Sequence, residues 1–173
     1  MGTADRREER PLRDLAAAPG AARARSERRR REGVRRAVDV ETGEVVVERI
    51  YAVHDIGRVI NPLGAESQIE GGIIQAIGHT LSEQRLLDPQ TGKVLTRTLD
   101  AYKLPTIADV PPLRIVHLSD GHGVGPYGAR SAGELVNPGV PAAIANAVHD
   151  ASGARVHTLP VTAERVWTAL KGR

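Results

Sequence analysis

The sequence contains no cysteine and no phenylalanine, and its only aromatic residues are three tyrosines and one tryptophan. Without cysteine the chain can form no disulfide, and it can bind no zinc ion or iron–sulfur cluster through thiolates. Because aromatic residues are so few, the core must be built from valine, isoleucine, leucine and alanine. No apolar run approaches the roughly 20 residues that a membrane span requires. We therefore expect a soluble protein without a membrane span, and the lack of cysteine is compatible with a cytoplasmic location.

The positive charge is concentrated at the start of the chain. Residues 1–36 contain twelve arginines but only six acidic residues, a net charge of +6, whereas residues 37–173 carry −3. Residues 1–33 have too few apolar side chains to bury, so we predict a basic leader, disordered or loosely helical, followed by one domain over residues 34–173. Clustered arginines attract nucleic acid, but no aromatic residue lies among them, and nucleic acid is therefore the less favoured partner.

Local patterns after the leader predict short strands and helices. The β-branched run at 45–53 follows a turn sequence, ETGE, at 41–44, which indicates an antiparallel hairpin. Asn61 and Pro62 are typical of a helix start, and the apolar residues that follow keep helical spacing to about Glu83. Later segments predict a second hairpin around 88–93, strands at 113–118 and 156–159, and helices at 141–151 and 163–170. The fold class is α+β: short, mainly antiparallel β-hairpins packed with about three helices.

The first predicted helix contains three glycines, at Gly71, Gly72 and Gly78. Each costs about 1 kcal/mol relative to alanine inside a helix. Their presence indicates that another backbone or a ligand comes close to this helix.

A glycine-rich loop is the strongest candidate for chemistry. Four glycines fall between Gly123 and Gly133, immediately before Glu134. Glycine permits positive φ and a close approach of backbone to a ligand. The apolar and glycine neighbours of Glu134 are expected to limit its solvation, which suits a general base. A surface or helix-start glutamate is the equally open alternative.

Other chemistries fit this region poorly. The string at 123–128 matches G-x-G-x-x-G, but a dinucleotide site needs a helix that opens within the motif. A phosphate-binding loop would have lysine where this chain has Glu134. A hydrolase could use Ser131, Asp150 and His157 in that order, yet no strand-to-helix elbow is predicted at the serine. The six histidines form no ligand pair typical of a metal site.

Several blocks along the chain together resemble one known family, in the same order as in that family. They are residues 55–62 (DIGRVINP), 68–75 (QIEGGIIQ), 100–105 (DAYKLP), 128–134 (GARSAGE), 141–147 (PAAIANA) and 159–165 (LPVTAER). The family is the molybdenum-binding subunit of xanthine dehydrogenases and aldehyde oxidases, and the resemblance is to the C-terminal part of that subunit. It covers about residues 34–173.

The resemblance implies a molybdenum hydroxylase whose metal is held by molybdopterin, without a protein ligand on the metal. Glu134 matches the glutamate that accepts a proton while an aldehyde or N-heterocycle is hydroxylated with water as the oxygen source. Gln68 matches a glutamine that hydrogen-bonds the pterin, of which the cytosine dinucleotide is one form. The implied cofactor-binding residues also include Gly71, Gly72, Arg130, Ser131, Ala132 and Gly133.

The chain also departs from the family pattern. The commoner loop reads GAKGVGEP, so Arg130 keeps a cation, whereas Ser131, Ala132 and Leu135 replace glycine, valine and proline. Family subunits run to several hundred residues, and their earlier part supplies other cofactor loops and most of the substrate pocket. The resemblance therefore implies a fragment that is inactive without the remainder of the molybdenum subunit. Its electrons would leave through an iron–sulfur subunit, with or without a flavin subunit.

A different class of function stays open beside this one. The chain could be a non-catalytic remnant or an interaction module, whose arginine-rich arm contacts nucleic acid or a protein partner.

Overall fold

The computed structural model describes residues 30–118 and 123–172 of the chain. Within this part there are three strands and three α-helices. The strands are β1 (Arg30–Val38), β2 (Val45–Asp55) and β3 (Leu113–Leu118), and the helices are α1 (Pro62–Leu81), α2 (Gly139–Ser152) and α3 (Ala163–Lys171). The predicted α+β class is confirmed. The predicted limits of α1, β3 and α3 agree with the structure to within two residues.

Strands β1 and β2 form the predicted antiparallel hairpin. In its turn, the Asp39 carboxylate accepts the backbone N–H groups of Glu41 at 2.8 Å and Thr42 at 3.3 Å. Strand β1 begins at Arg30 and pairs there with the end of β2, so residues 30–33 of the predicted leader take part in the sheet. Main-chain pairing does not require the apolar side chains whose scarcity suggested a leader. Residues 1–29 lie outside the described part, so their disorder stays a prediction.

Strand β3 lies beside β2 in parallel, in register from Ile50 opposite Leu113 to Asp55 opposite Leu118. The sheet order is β1-β2-β3 and the sheet is mixed, so only its first pair is a hairpin. The second predicted hairpin is reduced to one bridge, between Leu87 and Val94.

The predicted strand at 156–159 is wrong, since these residues form no strand. Among the described residues no strand of the sheet pairs with them. An extended segment without a neighbour does not become a strand.

One hydrophobic core joins the sheet to the helices, and its apolar side chains are valine, isoleucine, leucine and alanine, as predicted. Strand β2 contributes Ile50 and Ala52, both fully buried. The helices contribute Ile69, Ile73 and Ile77 from α1, Val140, Ile144 and Val148 from α2, and Val166 from α3. None of the helices in the described residues is long and apolar enough to cross a membrane.

Helix α1 starts where the sequence predicts. Asn61 is its N-cap, and the side-chain oxygen of Asn61 accepts the N–H of Gly64 at 3.0 Å. Pro62 occupies the first helical position, where its missing N–H costs nothing. This cap lies six residues after β2 ends, so the segment between them fixes how α1 leaves the sheet.

Candidate functional site

The glycine-rich loop is attached to the chain segment that follows β2. The N–H of Arg58 donates to the carbonyl of Gly128, and the N–H of Arg130 donates to the carbonyl of Ile56, both at 2.8 Å. Gly57 lies between these two bonds with φ +63°, and a Cβ there would overlap the carbonyl oxygen of Gly128. Only glycine allows the two backbones to come this close.

An ion pair lies beside these backbone bonds. The Nη1 atom of Arg130 donates to Oδ2 of Asp55 at 2.9 Å, and the two side chains are only 21% and 8% exposed. The other carboxylate oxygen of Asp55 accepts the N–H of Gly57 at 3.0 Å. The cation that was predicted to bind the cofactor therefore contacts the end of β2.

Helix α1 approaches the other end of the loop through Gly72. A Cβ on Gly72 would lie 2.7 Å from the carbonyl oxygen of Gly133. Gly133 has φ +42°, and a Cβ on it would lie 3.1 Å from Oε1 of Gln68. The structure thus brings Gln68, Gly72 and Gly133 together, although they are distant in sequence.

The three helix glycines have different surroundings. Gly72 meets the loop backbone, which confirms that another backbone comes close to the helix there. A Cβ on Gly78 would overlap Glu83 and come within 2.8 Å of Pro105, so that glycine is explained by packing within the chain. A Cβ on Gly71 would have nothing within 4 Å, and this glycine is exposed. No contact in the described chain requires glycine at Gly71.

Glu134 lies in a short 3-10 turn, Gly133–Leu135, that is anchored from its C-terminal side. Leu135 is 8% exposed and Val136 is fully buried, so both belong to the core. The side chain of Glu134 is exposed, as are those of Ser131 and Gln68. The expectation that its neighbours limit its solvation is wrong for the described chain, because those neighbours pack inward and leave Glu134 on the surface.

Ala132 of the predicted site and Asn137, which was not predicted, both support the turn. Ala132 is partly buried and packs against the core. Asn137 follows the turn, and its Nδ2 donates to Oε1 of Gln75 on α1 at 3.1 Å. This contact is a second link between α1 and the loop.

Sequence reasoning assigned no role to Asp55, Gly57 or Asn137. A signal for Asp55 was available, because Arg130 is the only cation between Gly123 and Glu134, and its long side chain requires an acidic partner or solvent. The partner's position, 75 residues earlier in the chain, could not be read from the sequence.

The dinucleotide reading of residues 123–128 is not supported by the geometry. The motif contains only a three-residue 3-10 turn, Pro126–Gly128, and the next α-helix begins at Gly139. A dinucleotide-binding motif would open a helix at its glycines and direct the helix N-terminus at the phosphates.

The comparisons with known proteins define the class of this fold. A family model described as a molybdopterin cofactor-binding domain matches residues 33–111, which include Gln68, Gly71 and Gly72. The described part of the chain superimposes on the crystal structure of quinoline 2-oxidoreductase from Pseudomonas putida 86. The TM-score is 0.73 and the sequence identity 37%, over 81% of this chain and 18% of that chain.

Full-length relatives give the family. The chain is 40% identical over 136 residues to a probable hypoxanthine oxidase of Escherichia coli (strain K12), which covers 78% of this chain and 14% of that protein. It is 39% identical over 130 residues to a putative xanthine dehydrogenase molybdenum-binding subunit of the same organism, over 75% of this chain and 17% of that protein. The chain belongs to the family of molybdenum-binding subunits of xanthine dehydrogenases and aldehyde oxidoreductases. It spans less than a fifth of the length of these relatives.

Proposed function

We propose that this chain is the C-terminal portion of a molybdenum hydroxylase subunit and that Glu134 is its general base. The observation that carries the proposal is the convergence of Gln68 and Gly72 on Gly133, which sets the Glu134 turn against α1. These residues come from two sequence blocks that both resemble the family. Their contact in the fold supports a single site built from both blocks.

The described residues fit a molybdopterin cofactor. The exposed Gln68 amide can donate to and accept from a pterin ring, and the exposed Ser131 offers a hydroxyl. Gly71 leaves its side of α1 open for a group that is not part of the described chain. The guanidinium of Arg130 is bonded to Asp55 and so also acts on the loop, and its contact with the cofactor stays a prediction.

When bound, the cofactor supplies the two-electron oxidation, with water as the source of oxygen. The carboxylate of Glu134 accepts the proton that the attacking hydroxyl must lose. A positioned general base contributes about 10²–10⁴-fold to a rate. Leu135 and Val136 hold the turn in the core, so the carboxylate is presented from a fixed backbone.

The substrate class and partners follow from the relatives and belong to the proposal. The names of two relatives include the N-heterocycles hypoxanthine and quinoline, which favours an N-heterocycle or an aldehyde as substrate. Electrons would pass to an iron–sulfur subunit and then to a flavin subunit where one is present, because this chain has no cysteine to bind a cluster. The cofactor that we propose is a molybdopterin, with the cytosine dinucleotide as one candidate form, in a cytoplasmic enzyme.

Co-expression with the remaining part of a family molybdenum subunit tests the function. We expect stoichiometric molybdenum in the complex and little in the isolated chain, which should show no turnover. Glu134→Gln should keep the molybdenum but lower kcat by about 10² or more. Glu66→Gln, an exposed glutamate on α1, is the matched control and should leave kcat unchanged.

Two results would contradict the proposal. One is a rate within about tenfold of wild type for Glu134→Gln, which is too small a loss for an essential base. The other is a complex that assembles without molybdenum, as a non-catalytic remnant or interaction module would.

A further inference from the structure

We propose that Asp55 is a positioning residue for Glu134, acting through Arg130 and the backbone of the glycine-rich loop. This inference rests on the proposed role of Glu134 as the base. It also gives Arg130 a role beyond the predicted cofactor contact, as the group through which the loop is held.

Three hydrogen bonds attach the loop to the end of β2 and the residues after it, and a fourth holds the Asp55 carboxylate to the backbone of its own segment. We call this set of four the clasp. Two are the backbone bonds, from the N–H of Arg58 to Gly128 and from the N–H of Arg130 to Ile56. The other two are made by Asp55, whose carboxylate accepts from Nη1 of Arg130 and from the N–H of Gly57. The carboxylate of Asp55 thus joins the loop, through Arg130, to the backbone of its own segment, through Gly57.

The charge of Asp55 is central to the clasp. Its side chain is only 8% exposed, and a carboxylate with so little water around it depends on its protein partners. An asparagine at this position has one oxygen where aspartate has two. If that oxygen keeps the N–H of Gly57, the Nδ2 group, which is a donor, faces the guanidinium, and the charged bond to Arg130 is lost. Bonds to charged groups are roughly twice as strong as those between neutral groups, so the loop should loosen.

The clasp can set the position of Glu134 because both supports of the site start from it. In one direction the chain runs from Gly57 into α1, which carries Gln68 and Gly72. In the other direction the chain runs four residues from Arg130 to Glu134. The two paths meet again where Gly72 contacts Gly133. Leu135 and Val136 anchor the Glu134 turn from its C-terminal side, and the clasp anchors it from its N-terminal side. A loosened clasp therefore lets the carboxylate shift relative to α1 without disturbing the core under it.

Hydrogen exchange in the 173-residue chain tests the clasp without any cofactor or activity. In Asp55→Asn, the amides of Arg58 and Arg130 should exchange about tenfold faster or more, since local opening sets their rates. The amide of Ile73, in the core of α1, should keep its rate. Asp39→Asn, in the distant hairpin turn, is the matched control and should leave the clasp amides unchanged.

Two substitutions at Arg130 separate charge from shape. Arg130→Lys keeps a cation that can reach Asp55, and it should retain most of the protection, whereas Arg130→Gln should behave like Asp55→Asn. Unchanged exchange at both clasp amides in Asp55→Asn and Arg130→Gln would overturn the proposal. Equal amide exchange rates in the lysine and glutamine variants would also overturn it.

Kinetics of the co-expressed complex test the link to Glu134. Asp55→Asn should lower kcat by about tenfold or more while KM and molybdenum content stay near wild type, because a displaced base affects chemistry more than binding. Arg130→Lys should recover most of kcat. If Glu134→Gln is inactive but Asp55→Asn keeps full kcat with a loosened clasp, the positioning role is wrong and the proposed function stands. If Glu134→Gln keeps its rate, the proposed function fails whatever the exchange data show.

Discussion

Gly72 on α1 faces the carbonyl oxygen of Gly133 so closely that an ideal Cβ would lie 2.7 Å from it. The neighbouring Gly71 has nothing within 4 Å of the same position. Of two consecutive glycines in one helix, one is thus crowded by backbone and the other faces open space. This difference makes them a matched pair for mutation.

Gly72→Ala should destabilise the chain, and Gly71→Ala should stabilise it. Overpacking costs about 1–3 kcal/mol, and the methyl group of the first variant has to displace the backbone that leads to Glu134. In the second variant the gain in helix propensity, up to about 1 kcal/mol, is unopposed. Urea unfolding of both variants measures the two changes in free energy. An equal decrease in the free energy of unfolding of both variants would contradict the contact between α1 and the loop.

Gly57→Ala should cost more than Gly92→Ala. Both glycines have positive φ, +63° and +68°, so both variants carry backbone strain. Only Gly57 also has a carbonyl, that of Gly128, where the new methyl group would lie. We expect a loss of about 1 kcal/mol for Gly92→Ala and of about 2–4 kcal/mol for Gly57→Ala, whose methyl group adds overpacking to the strain. Equal losses would show that the loop does not pack on Gly57.

Local signals made much of the fold predictable. The hairpin follows from a turn sequence between β-branched residues, and α1 follows from Asn61 and Pro62, whose cap bond is present in the structure. Each of these signals acts within a few residues, so a single sequence contains it. The resemblance supplied the candidate site, and the fold then brought Gln68 and Gly133 together.

Contacts between distant segments were not predictable in the same way. The parallel pairing of β2 with β3 depends on how the whole crossover between them folds, and nothing in residues 113–118 specifies a neighbour. The bond between Asp55 and Arg130 spans 75 residues. The predicted strand at 156–159 failed for the same reason, because strand formation needs a partner that local sequence does not reveal.

The turn of the β1–β2 hairpin should weaken in acid. The pKa of Asp39 is held below its ordinary value, chiefly by the backbone N–H of Glu41 and then by the side chain and N–H of Thr42. A folded-state pKa below the unfolded one means that Asp39 stabilises the fold above the ordinary aspartate pKa of about 3.9, and that this contribution is lost as the pH falls through the lower, folded-state value.

Asp39→Asn removes this dependence and provides the measurement. The difference in unfolding free energy between wild type and the variant should be constant near neutral pH and should shrink below about pH 4. An NMR titration of the Asp39 carboxyl carbon locates the folded-state midpoint. A midpoint at or above the ordinary value would contradict the prediction, and so would a difference that grows in acid.

Gly71→Leu should separate the stability of the fold from occupancy of the site. Leucine is a good helix former, and Gly71 is exposed with no atom of the described chain near its missing side chain. The isolated variant should therefore unfold at a urea concentration equal to that of wild type or higher. In the co-expressed complex the same leucine would occupy the space that we assign to the cofactor, so molybdenum content should fall by about tenfold, as expected for steric overlap at a close contact. Glu66→Leu, on an exposed position of the same helix, controls for the added apolar surface and should keep its molybdenum. Full molybdenum occupancy in Gly71→Leu would show that the cofactor does not pass along this side of α1, and the open space at Gly71 would then need another occupant.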